Sequence, residues 1–273
     1  MDWLKGWGDF ECVDLSVPLS PEFPINWPTL PPFRKNLVSW FEDFDLPNGA
    51  RVLHHGNYYA QSLVMDEHTG THVDFPLHVL PPQELNKSGV EISPPLSTFA
   101  GPAVVIDARF YLDKAPPGRS PRLPIGLLED WEARHGSIQA GEVVLFNTGY
   151  MDKHFAAFPE GNRLVRIPLF DGSVPGWPVP SDQVFELLAT RGVRHLGIDS
   201  PSIGALDNPS GPHHAGVKLR ITYAECLIHL DQLPPRGAPL HRISSADHSS
   251  ERFSHSCCDL QALETRRECF VLN

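Results

Sequence analysis

The chain has 273 residues, of which 41% are hydrophobic and 20% charged, and it carries a formal charge of −11. A chain of this length closes a core without disulfides, and an acidic balance without a Lys/Arg cluster excludes a nucleic-acid partner, because phosphate binding needs concentrated cationic surface. No apolar run approaches the ~18 residues of a membrane span, and the N-terminus lacks a basic stretch followed by an apolar one, so a cytoplasmic protein without a membrane partner is expected. With 28 prolines and 21 glycines the elements should be short and the turns many, which points to a mixed α/β class rich in strands and loops.

Residues 13–19 alternate as a short strand, and the Pro- and aromatic-rich text up to residue 50 reads as this edge strand plus an ordered arm, with Trp27 and Pro28 in a loop. Residues 59–64 form a strand that delivers the chain into a His-rich segment at a strand end or loop, a common address for catalytic groups. Three apolar runs bounded by Gly or Pro, residues 103–107, 142–147 and 193–199, predict buried strands. Between them residues 124–135 and 181–190 have helical spacing; Ser181 stands at the N-cap of the second and Gly192 ends it. This strand–helix alternation predicts a partly parallel sheet. After residue 239 the text turns Ser-, His-, Arg- and Cys-rich, and no strand is expected over residues 241–273. Of the five cysteines, Cys12 and Cys226 stand alone, while Cys257, Cys258 and Cys269 crowd this segment without a zinc-knuckle spacing and read as reduced thiols of a tail, metal binding by Cys257 and Cys258 being the alternative.

The chemistry concentrates at His68, His72, Asp74 and His78. Three imidazoles and a carboxylate around Gly70 and Pro76 suit a borderline divalent ion, and the two oxygens of Asp74 could bridge a pair of ions. A polar loop and metal-free acid–base chemistry remain the alternatives. His213, His214 and Glu225, far along the chain, could complete a coordination sphere or be a surface His pair and a solvated Glu.

The pattern His-x-Gly-Thr-His-x-Asp-x-Pro-x-His over residues 68–78 resembles the fingerprint of the cyclase family, which includes bacterial kynurenine formamidases and isatin hydrolases. The resemblance runs from Asp14-Leu-Ser-Val-Pro-Leu19 through Gly101-Pro-Ala-Val-Val105 and residues 191–202 to His213 and Glu225. It implies an α/β fold of three-layer β/β/α swivelling type with mixed sheets, one hydrolase domain over residues 1–238, and assembly as a homodimer or homotetramer. By that resemblance His68, His72 and Asp74 bind a first ion, Asp74 bridges to a second held by His213 and Glu225, and His78 is the general acid/base. The twelve-residue step to Glu225 selects His213 over His214. Asp199 and Ser202 are assigned supporting roles. Two divalent ions per chain, zinc or manganese, are implied.

The implied activity is hydrolysis of a carbon–nitrogen bond in a tryptophan-derived aryl amide, with N-formylkynurenine placed ahead of isatin. A lactone hydrolase and a catalytically inactive metal-binding or interaction protein are the rivals. Trp27 is the candidate to stack on the substrate ring, with Phe23, Phe33 and Phe75 as further aromatics that are more often core. The resemblance stops after Ala238. Residues 239–273 therefore read as an atypical tail, which a frameshift, altered splice site or gene-model error would explain, and which would leave the fold one strand short.

Overall fold

The structure, a computed structural model, describes residues 11–39, 43–52, 58–243 and 259–264. The first third supplies β1 (Glu11–Asp14), β2 (Arg34–Ser39), β3 (Phe44–Asp45), β4 (Arg51–Val52), β5 (Ala60–Val64) and β6 (His72–Asp74), then the short helices α1 (Pro76–Val79) and α2 (Pro82–Ser88). The middle runs through β7 (Gly101–Asp107), β8 (Arg122–Leu123), α3 (Ile125–His135), β9 (Val143–Asn147), α4 (Tyr150–His154), β10 (Val179–Pro180) and α5 (Asp182–Thr190). β11 (His195–Ile198), α6 (Ser210–Lys218), β12 (Thr222–Glu225), β13 (Arg236–Ile243) and β14 (Asp259–Glu264) complete it.

Eight strands form one mixed sheet in the order β1-β14-β13-β7-β9-β11-β12-β6. β7, β9, β11 and β12 are parallel neighbours. Buried on both faces, such strands need apolar side chains at every position, which is why their sequences are continuous runs rather than alternations; every residue of β9 and β11 is buried. Val104, Ile106, Val144 and Phe146 face the helices, meeting Leu128 and Trp131 of α3 and Phe185 and Leu188 of α5. Their neighbours Ala103, Val105, Val143 and Leu145 face the other way, onto Val13, Leu15, Leu227 and Leu240. Ile228 N donates to Leu15 O, and Val17 N to Thr71 Oγ1. The chain leaving β1, which is no longer a strand, is thereby tied to the β6/β12 end of the sheet, with Leu15 packed on the face opposite the helices.

The arm differs from its expected form: only residues 11–14 of the first segment are a strand, and β5 pairs with β2 in a separate ribbon. The predicted helices form as α3 and α5, and Gly192, at φ +80°, follows the last residues of α5. Ser181 occupies the N-cap position but its hydroxyl makes no capping bond. Its Oγ is buried without a hydrogen bond among the described residues, and the helix start is held by Val184 N donating to the main-chain oxygen of Ser181 instead.

The expectation of no strand beyond residue 240 is corrected. β13 runs to Ile243, with Leu240 opposite Gly101, and β14 pairs with both β13 and β1, so the sheet is not short of a strand there. The anchor is Arg236, whose guanidinium forks onto Glu142 at 2.8 and 2.9 Å and also donates to the carbonyls of His135 and Ser137. A charged residue at a strand start carries no β signal in sequence, and Asp-Leu-Gln-Ala-Leu-Glu in β14 alternates too briefly to register. Cys226 is buried and free; Cys257, Cys258, Cys269 and the final Phe270, Val271 and Leu272 lie outside the described residues. No helix among the described residues is long and apolar enough to cross a membrane.

Candidate metal centre

Asp66 shapes the turn that opens the site. Its Oδ1 accepts His68 N at 2.8 Å and its Oδ2 accepts Thr69 Oγ1 at 3.1 Å. Gly70 then adopts φ +70°, where a Cβ would stand 2.7 Å from Leu19 Cδ2, and its N–H donates to Ile25 O at 2.6 Å. A side chain there would meet both backbone strain and a clash. The chain passes into β6, whose two-residue period puts His72 and Asp74 on one face. β12 pairs with β6 and sets Glu225 opposite His72. Pro76 starts α1, which turns His78 back toward Asp74.

α6 brings the distant ligand. Tyr223 of β12 donates its hydroxyl to His213 O at 2.8 Å, and Gly204 gives the His213 ring room, since a Cβ at 204 would lie 2.7 Å from its Cε1. Ile203 N donates to Glu225 Oε1 and fixes that carboxylate.

The six side chains converge. His68 Nδ1 lies 3.0 Å from His72 Nε2 and 3.2 Å from Asp74 Oδ1, and His72 Nε2 is 3.5 Å from the same oxygen. The other Asp74 oxygen faces His213 Nε2 at 3.3 Å and His78 Nε2 at 3.9 Å. Glu225 closes the ring, Oε2 standing 3.6 Å from His72 Nε2 and Oε1 3.6 Å from His213 Nε2.

These separations fit a metal better than a hydrogen-bond network. His72 Nδ1–H donates to Gly70 O at 2.9 Å and His213 Nδ1–H to Pro209 O at 2.8 Å, which leaves the Nε2 lone pair of each aimed at carboxylate oxygens. Lone pairs facing lone pairs need a cation between them, and this backbone anchoring of the outer nitrogen is how metal-binding histidines are held. Both oxygens of Asp74 are buried and accept no hydrogen bond among the described residues. Donor atoms around a four-coordinate ion at ~2.0–2.2 Å stand ~3.3–3.6 Å apart, close to the 3.0 to 3.6 Å between the proposed ligand atoms. Two groupings, His68 with His72 and Asp74, and Asp74 with His78 and His213, have ligand atoms within 4.8 Å of one another.

Electrostatics agree. Burial lowers His72, but the carboxylates of Asp74 and Glu225 outweigh it and hold the imidazole up at about 9. Burial likewise opposes, and the same two carboxylates overcome it, to raise His213 to about 10. Against burial, His213, His68 and His72 keep Asp74 well below the usual carboxylate range. A proton is the cation on those nitrogens when no metal is, and a divalent ion replaces it. His78 is different: burial pushes it down, with His68 and His213 adding to the effect against Asp74, so it is neutral near pH 7.

The cluster lies in the wall of a cavity of about 700 Å³, whose other lining includes Trp27, Met65, Leu169, Trp177 and Leu206. Asp66, Glu67, Asp74 and Glu225 also line it, with neither a lysine nor an arginine among the described residues. Trp27 lines the cavity and stands edge-on to Trp177 at 6.1 Å. The other sequence aromatics belong to the core: Phe23 stacks on Phe155, Phe33 is buried, and Phe75 packs on Phe99. His214 lines the cavity without joining the cluster, and Ser202 lines it while its hydroxyl accepts Gly204 N. Asp199 sits apart, accepting Thr148 N, Thr148 Oγ1 and Gly149 N at 2.6 to 2.7 Å where α4 begins; burial pushes it up to about 8 against those bonds. Asp66, Glu67, Gly204 and Tyr223 are the neighbours that sequence reasoning missed. Only Gly204 carried a signal, as a glycine in a Ser-Ile-Gly turn beside a buried strand.

This fold and this cluster define a metal-dependent hydrolase. The family model described as "Putative cyclase" matches residues 13–205, and the chain belongs to the cyclase family. It is 28% identical over 247 residues to the isatin hydrolase of Roseibium aggregatum, covering 85% of each chain, and 34% identical over 175 residues to the kynurenine formamidase of Salinibacter ruber, covering 64% of this chain and 66% of that one. Among solved structures, isatin hydrolase A from Labrenzia aggregata bound to benzyl benzoate superposes with a TM-score of 0.72 at 24% identity, over 96% of this chain and 98% of that one.

Proposed function

We propose that the chain hydrolyses the carbon–nitrogen bond of an amide carried on a flat aromatic substrate, using divalent metal at the cluster. The observation that supports this most is Asp74, buried, without a hydrogen bond among the described residues and faced on both oxygens by imidazole nitrogens. His68, His72 and Asp74 would hold one ion, and Asp74, His213 and Glu225 a second, the nitrogen and oxygen donors suiting zinc or manganese. Metal bound there supplies carbonyl polarisation and a water made acidic enough to ionise near neutrality.

The chain's own groups do the rest. His78, neutral near pH 7 and 38% exposed at the cavity, takes a proton from the attacking water and returns it to the departing nitrogen. The bond from oxygen to carbonyl carbon forms, the carbon–nitrogen bond breaks, and the amine leaves neutral rather than as a strongly basic anion. Trp27 and Trp177 flank the substrate ring.

The 28% identity to an isatin hydrolase, spanning 85% of each chain, favours a cyclic amide such as isatin. The 34% identity to a kynurenine formamidase keeps the formamide as the second reading. Assembly as a homodimer or homotetramer belongs to the same proposal, supported by the exposed Leu37, Val38, Leu63 and Val64 of the β2/β5 ribbon. The test is a metal-supplemented panel of isatin, N-formylkynurenine and simple lactones, with elemental analysis of the same protein. Turnover of isatin above the others is expected; a protein without metal and without turnover on all of them would defeat the proposal.

A further inference from the structure

The three imidazoles proposed as ligands do not hold their outer nitrogens in the same way. His72 and His213 both present Nε2 to the cluster, and both give Nδ1–H to a main-chain carbonyl, of Gly70 and Pro209. No side-chain substitution removes those acceptors. His68 is turned the other way, with Nδ1 facing His72 Nε2 at 3.0 Å and Asp74 Oδ1 at 3.2 Å, so that its outer nitrogen is Nε2. A neutral imidazole has one proton, and Nδ1 is a free lone pair only while that proton stays on Nε2.

The group beside His68 Nε2 is the carboxylate of Glu67, with Oε1 at 3.6 Å. Its side chain is 57% exposed, free to rotate into the ~2.8 Å of a charge-assisted bond. Asp66, the other acid in the turn, is committed to His68 N and Thr69 Oγ1. Glu67 also lines the cavity, and its carboxylate lies with ring nitrogens of His68 and His78 inside a group whose ligand atoms are within 4.8 Å of one another.

We infer that Glu67 is a positioning residue for the metal site: its carboxylate accepts the Nε2 proton of His68 and so holds Nδ1 ready for the ion. The inference rests on the metal-site reading above. Asp66 then shapes the turn while Glu67 sets the tautomer of the ligand that the turn carries. Without Glu67 the His68 proton spends more of its time on Nδ1, where it competes with the ion.

The experiment is a Zn²⁺ titration, in competition with a chromophoric chelator, of the wild-type chain, Glu67→Ala and Glu67→Gln. Losing such an outer acceptor typically weakens binding ten- to a hundredfold, and for this exposed group about tenfold is expected in Glu67→Ala. Glu67→Gln keeps an acceptor oxygen and should stay within about threefold of wild type. Melting of the metal-free proteins should be unchanged in both variants, which separates positioning from folding. Equal affinity in wild type and Glu67→Ala overturns the inference. So does a loss in Glu67→Gln as large as that in Glu67→Ala, which would make Glu67 a ligand itself. If the wild type binds no Zn²⁺ the metal-site reading falls as well, an outcome distinct from wild-type binding that the variants leave unaltered.

Discussion

His78 packs its ring against His68 at 4.2 Å, yet its Nε2 is 3.9 Å from the nearest Asp74 oxygen, farther than any proposed ligand nitrogen. Replacing it with glutamine should cost about 10²- to 10⁴-fold in kcat, the usual worth of a general acid/base, with metal content unchanged by elemental analysis. Metal lost in step with turnover would reassign His78 as a ligand. Gly70 permits a second prediction, because its positive φ and the 2.7 Å approach of Leu19 oppose any side chain. Gly70→Ala should lower unfolding free energy by more than about 1 kcal/mol, read from chemical denaturation, since strain and clash act together. At this scale the sequence was legible where ligands are neighbours in the chain. His68, His72, Asp74 and His78 announce themselves in eleven residues, whereas His213 and Glu225 were selected only through a family resemblance. Glu67 and Tyr223 had no local mark, because what they do depends on which nitrogen or carbonyl the fold turns toward them.

β6, β12 and α6 form the frame of the site, and they are held by different forces. β6 and β12 share a ladder, with His72 opposite Glu225, while α6 is seated by the Tyr223 hydroxyl and by contact with Gly204. The ladder resists single substitutions; the helix seat does not. A methyl at position 204 would come 2.4 Å from Pro209 O as well as 2.7 Å from the His213 ring, and backbone cannot yield as a flexible side chain can. Gly204→Ala should therefore displace His213, lowering bound metal in elemental analysis while the far-ultraviolet circular dichroism of the sheet and helices persists. Full metal content in a folded Gly204→Ala chain would count against a ligand role for His213. The elements legible in sequence were those with a continuous or periodic apolar signal, β7, β9, α3, α5 and β11. β6 was hidden because His72 and Asp74 take two of its three positions, β12 because four residues are too few to show a period, and β13 because Arg236 and Pro239 interrupt its apolar text.

For the whole molecule, protons and metal compete for the same nitrogens, which ties stability to pH. His72 is raised to about 9 and His213 to about 10, mainly by Asp74 and Glu225 working against burial. A raised histidine contributes stability that is fully present below its unfolded value of ~6.5 and is lost as pH rises through the folded value. The metal-free chain should thus lose this contribution progressively between pH 6.5 and 10. Metal binding runs the other way, because loading must expel those protons, so affinity climbs with pH, by up to about tenfold per unit for each proton released. Stabilisation by a ligand grows with the logarithm of its concentration over Kd, so the gap in Tm between metal-loaded and chelator-treated protein should widen from pH 6.5 to 8.5. Scanning calorimetry with Mn²⁺ or with chelator at each pH measures it directly. A gap that stayed constant or narrowed would mean that bound metal does not displace the protons of His72 and His213, and the ions would have to be placed elsewhere in the cavity.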